Sequence, residues 1–309
     1  MKQLSIIIPH KNSLSTLPRL IQSIPKCDSI EVIVVDDHSD KNIQIELEKF
    51  CAGYPMIQLL ENHTDIFSSG KARNIGLEHA KGEWILFADA DDYFLDNFDD
   101  AIQKWINTDR DMIYFRPQIE ATKENFGCLP MVKVFDDYEY RPTEDNLMRL
   151  TLTMVTPWSK LIRHTFLKEQ GIWFDEVLKN NDVTFSRKAA LATTKIEITQ
   201  ERIYAYNVLP SGLTKRTDLK SYFSVVDVHS RNLIFLREKL PKKKLLSVNP
   251  ECFYTHYRLL YSGLREYRSV RVVGAALKIY KKNGLFKPKY LTPIFAVIAY
   301  YQKKSSFGQ

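Results

Sequence analysis

Cysteine is scarce in this chain. Its four residues (Cys27, Cys51, Cys128 and Cys252) stand far apart and form no CxxC pair. That spacing argues against a disulfide framework or a structural zinc site and favours a reducing compartment. Glycine is also sparse, at 11 residues in 309. Neither GxGxxG nor GxxxxGK(S/T) occurs, so no glycine-rich loop is available to cradle phosphates. The last apolar run, YLTPIFAVIAYY (290–301), has 12 residues and an internal proline, whereas a spanning helix needs about 20. No internal repeat and no low-complexity segment is present. No signal peptide is expected, since Met1-Lys2-Gln3 leads into only about six strand-like residues, too few for an h-region.

What remains is the composition of a soluble globular protein, 44% hydrophobic and 26% charged, long enough for one large domain or two ordinary ones. The net charge of +7 is unevenly spread. Residues 237–309 hold 16 Lys and Arg against 3 Asp and Glu, a net of +13, and residues 1–236 hold 28 against 34, a net of −6. Such a basic segment implies a polyanion nearby, either nucleic acid or an anionic membrane surface. The apolar run at 290–301, bracketed by KPK and QKK, suits an interfacial position with aromatic residues at headgroup level and lysines against anionic lipid. The other reading is a packed C-terminal helix with snorkelling lysines.

The first 115 residues alternate. LSIIIP (4–9), EVIVVDD (31–37), IQLLE (57–61), EWILFADA (83–90) and DMIYFR (111–116) read as strands. SLSTLPRLIQSI (13–24), NIQIELEKFC (42–51) and GKARNIGLEHAKG (70–82) read as helices between them. That order predicts a parallel sheet covered by helices, with ligands outside the carboxyl ends of its strands. Residues 120–145 are mixed and acidic and read as a long connection or a small antiparallel excursion. TPWSKLIRHTFLKEQG (156–171) opens a more helical stretch, NDVTFSRKAALAT (181–193) is amphipathic with Asp182 in its first turn, and ERIYAYNVLPSGLTK (201–215) is a strand followed by a turn. Beyond about residue 218 the pattern is helical and basic.

Three polar clusters end strands in this scheme: PHKN (9–12), DDHSD (36–40) and DADD (89–92). With every strand parallel they meet on one edge. Asp89 and Asp91 are two residues apart and point to the same side of an extended chain. Two such carboxylates disfavour joint ionisation unless a cation joins them, and a hard divalent ion, Mn²⁺ or Mg²⁺, completed by substrate phosphates suits them. Aspartates also cap helices and populate solvated loops. Asp36 or Asp37 fits hydrogen bonding to a ribose hydroxyl or a base N–H, and Lys71 and Arg73 fit phosphate.

Taken together, SIIIPHKN, EVIVVDDHSD, SSGKARNIGLEHAKGEWILFADADD and PWSKLIR followed by FDEVLKNND resemble family-2 glycosyltransferases of the GT-A fold. The resemblance covers roughly two thirds of the chain. It implies a Rossmann-like, mostly parallel α/β sheet with helices on both faces and a basic helical segment after it. The implied boundaries are 1–217 for the transferase domain (donor half about 1–116, acceptor half about 117–217) and 218–309 for the basic region. It also implies a nucleotide-diphosphate sugar donor of the UDP class, a divalent metal, inversion at the anomeric carbon, and a glycan or lipid-linked glycan acceptor. Pro9, His10 and Asn12 would line the base and ribose pocket, and Asp37, supported by Asp36, would hold the uracil or ribose. Lys71, Arg73, Asn74 and Asp89 would lie at the donor, and Asp89 and Asp91 at the metal. The position of the family's catalytic base falls on Asp182. The acidic residue that usually precedes it is Asn181 here, a departure that bears on the acceptor side. Trp158 and Lys160 are candidate acceptor contacts, stacking on a sugar and meeting a phosphate, although a core tryptophan with a surface lysine reads equally well.

The expected setting is cytoplasmic, peripheral on the inner face of the cell membrane. A nucleotidyltransferase on a similar sheet would carry a glycine-rich N-terminal loop where this chain has PHKNSLS. A nucleic-acid-binding protein would leave the converging carboxylates unexplained, and they would repel a phosphate backbone; no nucleic-acid partner is expected. An inactive relative would not be expected to keep Asp37, Asp89, Asp91 and Asp182 together.

Overall fold

A computed structural model of the chain describes residues 2–120, 129–207, 218–249 and 251–286. The chain divides into two units, Met1–Lys215 and Arg216–Gln309. In the first, β1 (Leu4–His10), α1 (Leu17–Gln22), β2 (Ile30–Asp36), α2 (Lys41–Ala52), β3 (Ile57–Glu61), α3 (Ser69–His79) and β4 (Trp84–Phe87) alternate as the hydrophobic pattern predicts. All seven residues of β2 are buried, because a central parallel strand is covered on both faces and therefore reads as an unbroken run of Ile and Val. Its one charged interior residue, Glu31, accepts hydrogen bonds from the Ser5 hydroxyl and the Lys81 and Gly82 amides.

After β4 come β5 (Tyr93–Phe94), α4 (Phe98–Trp105), β6 (Met112–Phe115), β7 (Gln118–Glu120), α5 (Leu129–Tyr140), α6 (Glu144–Thr153), β8 (Lys160–Arg163), α7 (His164–Glu169), α8 (Asn181–Ala192), β9 (Ile196–Thr199) and β10 (Tyr204–Asn207). The main sheet has the order β3-β2-β1-β4-β8-β6-β9, and β5-β10-β7 form a second sheet. The expectation that every strand of the main sheet is parallel fails at β8, which runs antiparallel to both β4 and β6. Residues 160–163, read as part of a helical stretch, are this strand. Leu161 and Ile162 are fully buried, and pairing on both sides overrides a local pattern too short to decide between periods. The acidic segment 120–145 contains all of α5 and the start of α6.

The parallel strands still carry their carboxyl ends to one edge. His10 pairs with Asp36 across β1 and β2, and Ile7 pairs with Phe87 of β4, two residues before Asp89.

In the second unit, α9 (Leu219–Lys239), α10 (Lys242–Val248), α11 (Glu251–Tyr267) and α12 (Val270–Lys282) follow one another, and α9, α11 and α12 pack pairwise. Among the described residues no helix is long and apolar enough to cross a membrane. The apolar run 290–301 and the Pro-Ser-Gly turn at 210–212 lie outside the described residues.

His256 of α11 is buried against Tyr280 of α12 with ring centroids 5.2 Å apart, and both its ring nitrogens lack hydrogen-bond partners among the described residues. Burial pulls its pKa from 6.5 down to about 4. The folded state therefore holds it neutral, while the unfolded chain protonates it below about pH 6.5. Stability from this group is present above pH 6.5 and is lost as pH falls toward 4, up to about 3 kcal/mol. Thermal unfolding of the full chain and of His256→Phe at pH 7.5 and pH 5 checks this, since the acid-induced fall in Tm should shrink in the variant.

Candidate active site

The loop after β1 and the loop after β2 are locked together. Asn12, in the left-handed region at φ 51°, exchanges hydrogen bonds with Asp40 through its side-chain oxygen and nitrogen. His10 is buried, with Nδ1 3.0 Å from Asp36 Oδ1. The Ser39 hydroxyl and amide and the Gln44 side chain also donate to Asp36. Burial alone would raise the Asp36 carboxyl, but these donors outweigh it and hold the pKa at about 2. Asp36 and His10 are thus spent inside the loop pair, as support for Asp37. Asp37 receives the Asn62 amide at 2.7 Å and lies 3.3 Å from His38 Nδ1. Beside it, His38 packs against the exposed ring of Phe67 at 4.1 Å with the rings tilted by 37°, and Lys11 lies 5.2 Å over the same ring. Pro9 is partly exposed just before this network.

The three carboxylates at 89–92 take three different environments. Asp89 Oδ1 accepts from Arg73 at 2.6 Å. Asp92 is fully buried, one oxygen accepting the Tyr204 hydroxyl at 2.6 Å and the other the Asn207 amide at 2.7 Å. Burial, and then the Asp89 charge, push its carboxyl strongly upward. Asp91 has no hydrogen-bonded side-chain partner for its carboxylate among the described residues. Burial raises its pKa to about 6, and the Asp89 charge adds to the rise. A carboxylate in that state fits a hard divalent ion held by one protein group and completed by diphosphate and water. Asp89, expected as a second metal ligand, has one oxygen committed to Arg73. Among the described residues no group of three or more His, Cys, Asp or Glu is arranged to hold a metal.

Arg73 joins this edge to α8. Its guanidinium is buried and also donates to Asn181 Oδ1 at 3.0 Å, and its charge lies 5.3 Å from the Phe174 ring. Gly70 makes the approach possible, because a Cβ there would meet Asp175 O at 2.3 Å and Asn181 Cβ at 2.8 Å. Phe174 and Phe185 stack on each other beneath, and Phe87 meets both rings edge to face. Asp182 sits partly exposed in the first turn of α8. Burial raises its carboxyl and Asp89 adds to that, while Arg73 and Lys160 oppose it.

Several expected contacts are revised. Lys71 pairs with Glu176 at 3.1 Å. Asn74 spends its amide on Phe174 and Glu176, fastening the 174–176 segment to α3. Trp158 is 2% exposed and stacks against Tyr204 and Tyr206, so it offers no face to a sugar. Lys160 is wholly buried and turned inward, away from any acceptor phosphate. Asn62, Phe67, Tyr204 and Asn207 were not singled out from sequence. Of these, only Tyr204 and Asn207 carry a signal, since they lie in the 201–215 stretch that reads as a strand and a turn. A cavity of about 450 Å³ lined in part by Asp109, Arg163 and Lys195 lies at the opposite ends of the strands and belongs to no part of this site.

Residues 5–171 match the sequence profile of glycosyl transferase family 2, more than half of the chain. The poly(ribitol-phosphate) beta-N-acetylglucosaminyltransferase TarS of Staphylococcus aureus strain MW2 is 30% identical over 219 residues, 69% of this chain and 36% of that protein. The chain thus spans little more than a third of that relative's length. The solved structure of S. aureus TarS 1–349 in complex with UDP-GlcNAc matches with a TM-score of 0.56 at 19% identity, covering 98% of this chain and 92% of that one. The mannosyltransferase PcManGT from Pyrobaculum calidifontis, solved with GDP-Man and Mn²⁺, matches with a TM-score of 0.55 at 16% identity, covering 99% and 88%. At these identities the structural likeness is one of fold.

Asp92→Ala should leave the Tyr204 hydroxyl and the Asn207 amide buried without a partner and cost about 1–3 kcal/mol. Asp92→Asn, which preserves the shape and an acceptor, should cost less. Urea unfolding of both variants measures the difference.

Proposed function

The chain belongs to glycosyl transferase family 2, and from that premise we propose that it moves one sugar from a UDP-class donor to a hydroxyl of a bacterial surface polymer, with inversion. The GT-A fold, the UDP-GlcNAc complex of one structural neighbour and the wall-polymer substrate named for the S. aureus relative support this reading. The observation that carries it is the division of labour at 89–92, with Asp182 brought to the same edge through the Arg73–Asn181 contact. On this reading residues 1–217 form the transferase domain, with its donor half ending near residue 116, and residues 218–309 form a basic helical region.

Asp37 accepts from the base or ribose, within a wall formed by Pro9 and Asn12, with the expected contact of His10 replaced by a buried position behind them on Asp36. Asp89 keeps its second oxygen for a ribose hydroxyl while Arg73 holds the first. Asp91 would hold a divalent ion, Mn²⁺ or Mg²⁺, and such an ion, when bound, would supply counter-charge for a diphosphate leaving group. The acceptor hydroxyl attacks the anomeric carbon from the opposite face, and Asp182 takes its proton. Asn181 orients that turn of α8 through Arg73.

Calorimetric titration of UDP, GDP and CDP, each with Mn²⁺ and with EDTA, should find metal-dependent binding of UDP that Asp91→Ala abolishes. Asp182→Asn should bind UDP normally yet transfer sugar at least 100-fold more slowly, in line with the 10²–10⁴-fold scale of general-base catalysis. Wild-type rates in Asp182→Asn would remove the base assignment. The base works ionised and its carboxyl is raised by burial. Activity should therefore be present above its folded pKa and fall, as pH drops, at a pH above the ordinary carboxylate range.

The basic region is proposed to rest on an anionic membrane, placing the enzyme at the inner face of the cell membrane. In support, α11 exposes Tyr257, Tyr261 and Leu264 at helical spacing, with exposed Arg258 and Arg265 beside them. Co-sedimentation with phosphatidylglycerol vesicles should drop several-fold in Tyr257→Ser/Tyr261→Ser. Failure of the intact chain to sediment with those vesicles would end this part of the proposal.

A further inference from the structure

Lys160 is the one buried lysine among the described residues. Ser159, before it, adopts φ 57°, a left-handed conformation that costs a residue with a side chain and recurs at functional sites. Lys160 opens β8. Its Nζ donates to Met154 O and Thr156 O, each at 2.5 Å, and to the Ser186 hydroxyl of α8 at 3.3 Å. Ser186 in turn donates to Val155 O, and Arg187 Nε to Leu152 O. The second turn of α8 is thereby laced to the segment behind α6, one turn beyond Asn181 and Asp182.

No carboxylate touches this ammonium among the described residues. Burying a charge without a contacting counter-ion is costly, and an apolar side chain would fill the space without that cost. The carboxylate that acts on it from a distance is Asp182. Tyr114 of β6 faces it with a ring 5.2 Å away. Asp182 in turn feels Arg73 from α3, Asp89 from beyond β4 and Lys160 from β8. Of the two cations, Arg73 is shared with Asp89 and Asn181, whereas Lys160 has only neutral hydrogen-bond partners.

We propose that Lys160 is a positioning residue for transfer: its buried ammonium fixes the start of α8 and supplies the positive charge that keeps the Asp182 carboxylate ionised until the acceptor arrives. This rests on the reading of Asp182 as the base. The two groups are linked in both directions. Burial pulls the Lys160 amine down to about 7 and Asp182 pushes it back up, while Lys160 helps to offset the rise that burial imposes on Asp182. Coupling of this kind is reciprocal.

The test is the pH profile of kcat/KM for sugar transfer in the full chain. Lys160→Met should move the acidic limb upward by about one pH unit, the size of shift that loss of one nearby opposite charge produces. Lys160→Arg, which keeps the charge, should leave the limb in place. A uniform loss of rate with an unmoved limb in Lys160→Met would reduce Lys160 to a structural part and overturn the proposal. A second measurement leaves Lys160 intact, in case Lys160→Met does not fold. In ¹³Cε-lysine NMR of the wild-type chain, the lysine that titrates near neutrality should titrate lower in Asp182→Asn, and an unchanged titration would also overturn the proposal. Full transfer by Asp182→Asn would instead overturn the base assignment, and the Lys160 role with it. Lost transfer in Asp182→Asn together with an unmoved limb in Lys160→Met would overturn the Lys160 role alone.

Discussion

Arg73 has to satisfy two partners that the chain keeps far apart. It reaches Asp89 at the tip of the β4 segment and Asn181, which is 108 residues away, at the start of α8. Its guanidinium is planar, permanently charged and buried, so both contacts must be held in one geometry. Without that cation, Asp89 would face Asp91 and Asp92 with no opposite charge in contact. The opening of α8 would also lose its tie to the sheet edge. Gly70 is the steric condition for the contact, since α3 approaches the 175–181 segment more closely than any side chain there allows.

Once Arg73 is committed to Asp89, the neighbouring acids take their own environments. Asp92 is drawn into the second sheet, where Tyr204 and Asn207 of β10 meet both of its oxygens. The same tyrosine receives the Asp89 amide, so its hydroxyl ties the turn at both ends. Asp91 is left with its burial and then the repulsion of Asp89, which its own amide and Arg19 offset only in part. Three like residues within four positions thus differ in role because their partners differ. The proposed base lies among the same fields, with Arg73 and Lys160 opposing the burial that would otherwise neutralise it.

Much of the first half of the fold was legible in the sequence. Strands rich in Ile and Val and helices with a 3.6-residue period are local signals, and β1 to β4 fall where those signals lie. The second half was harder. Residues 160–163 are too short for period to separate strand from helix, and their strand state depends on β4 and β6 flanking them. Lys71, Asn74, Trp158 and Lys160 have residue types that suit ligand contact, and each is taken instead by the protein itself. Nothing adjacent in sequence announces Glu176 beside Lys71, Phe174 beside Asn74, or the carbonyls of Met154 and Thr156 around Lys160.

By itself the sequence determined that carboxylates would gather at the carboxyl ends of a mostly parallel sheet, because strand period, turn chemistry and the βα order are all encoded within a few residues of each other. It also carried the family resemblance in the spacing of those clusters. Only the tertiary structure decided which carboxylate is paired with a cation, which is fully buried and which is left without a side-chain hydrogen-bond partner among the described residues, and that the lysine of PWSK points inward. Those outcomes depend on distance and desolvation between groups on different elements, and both quantities exist only after the chain has closed on itself.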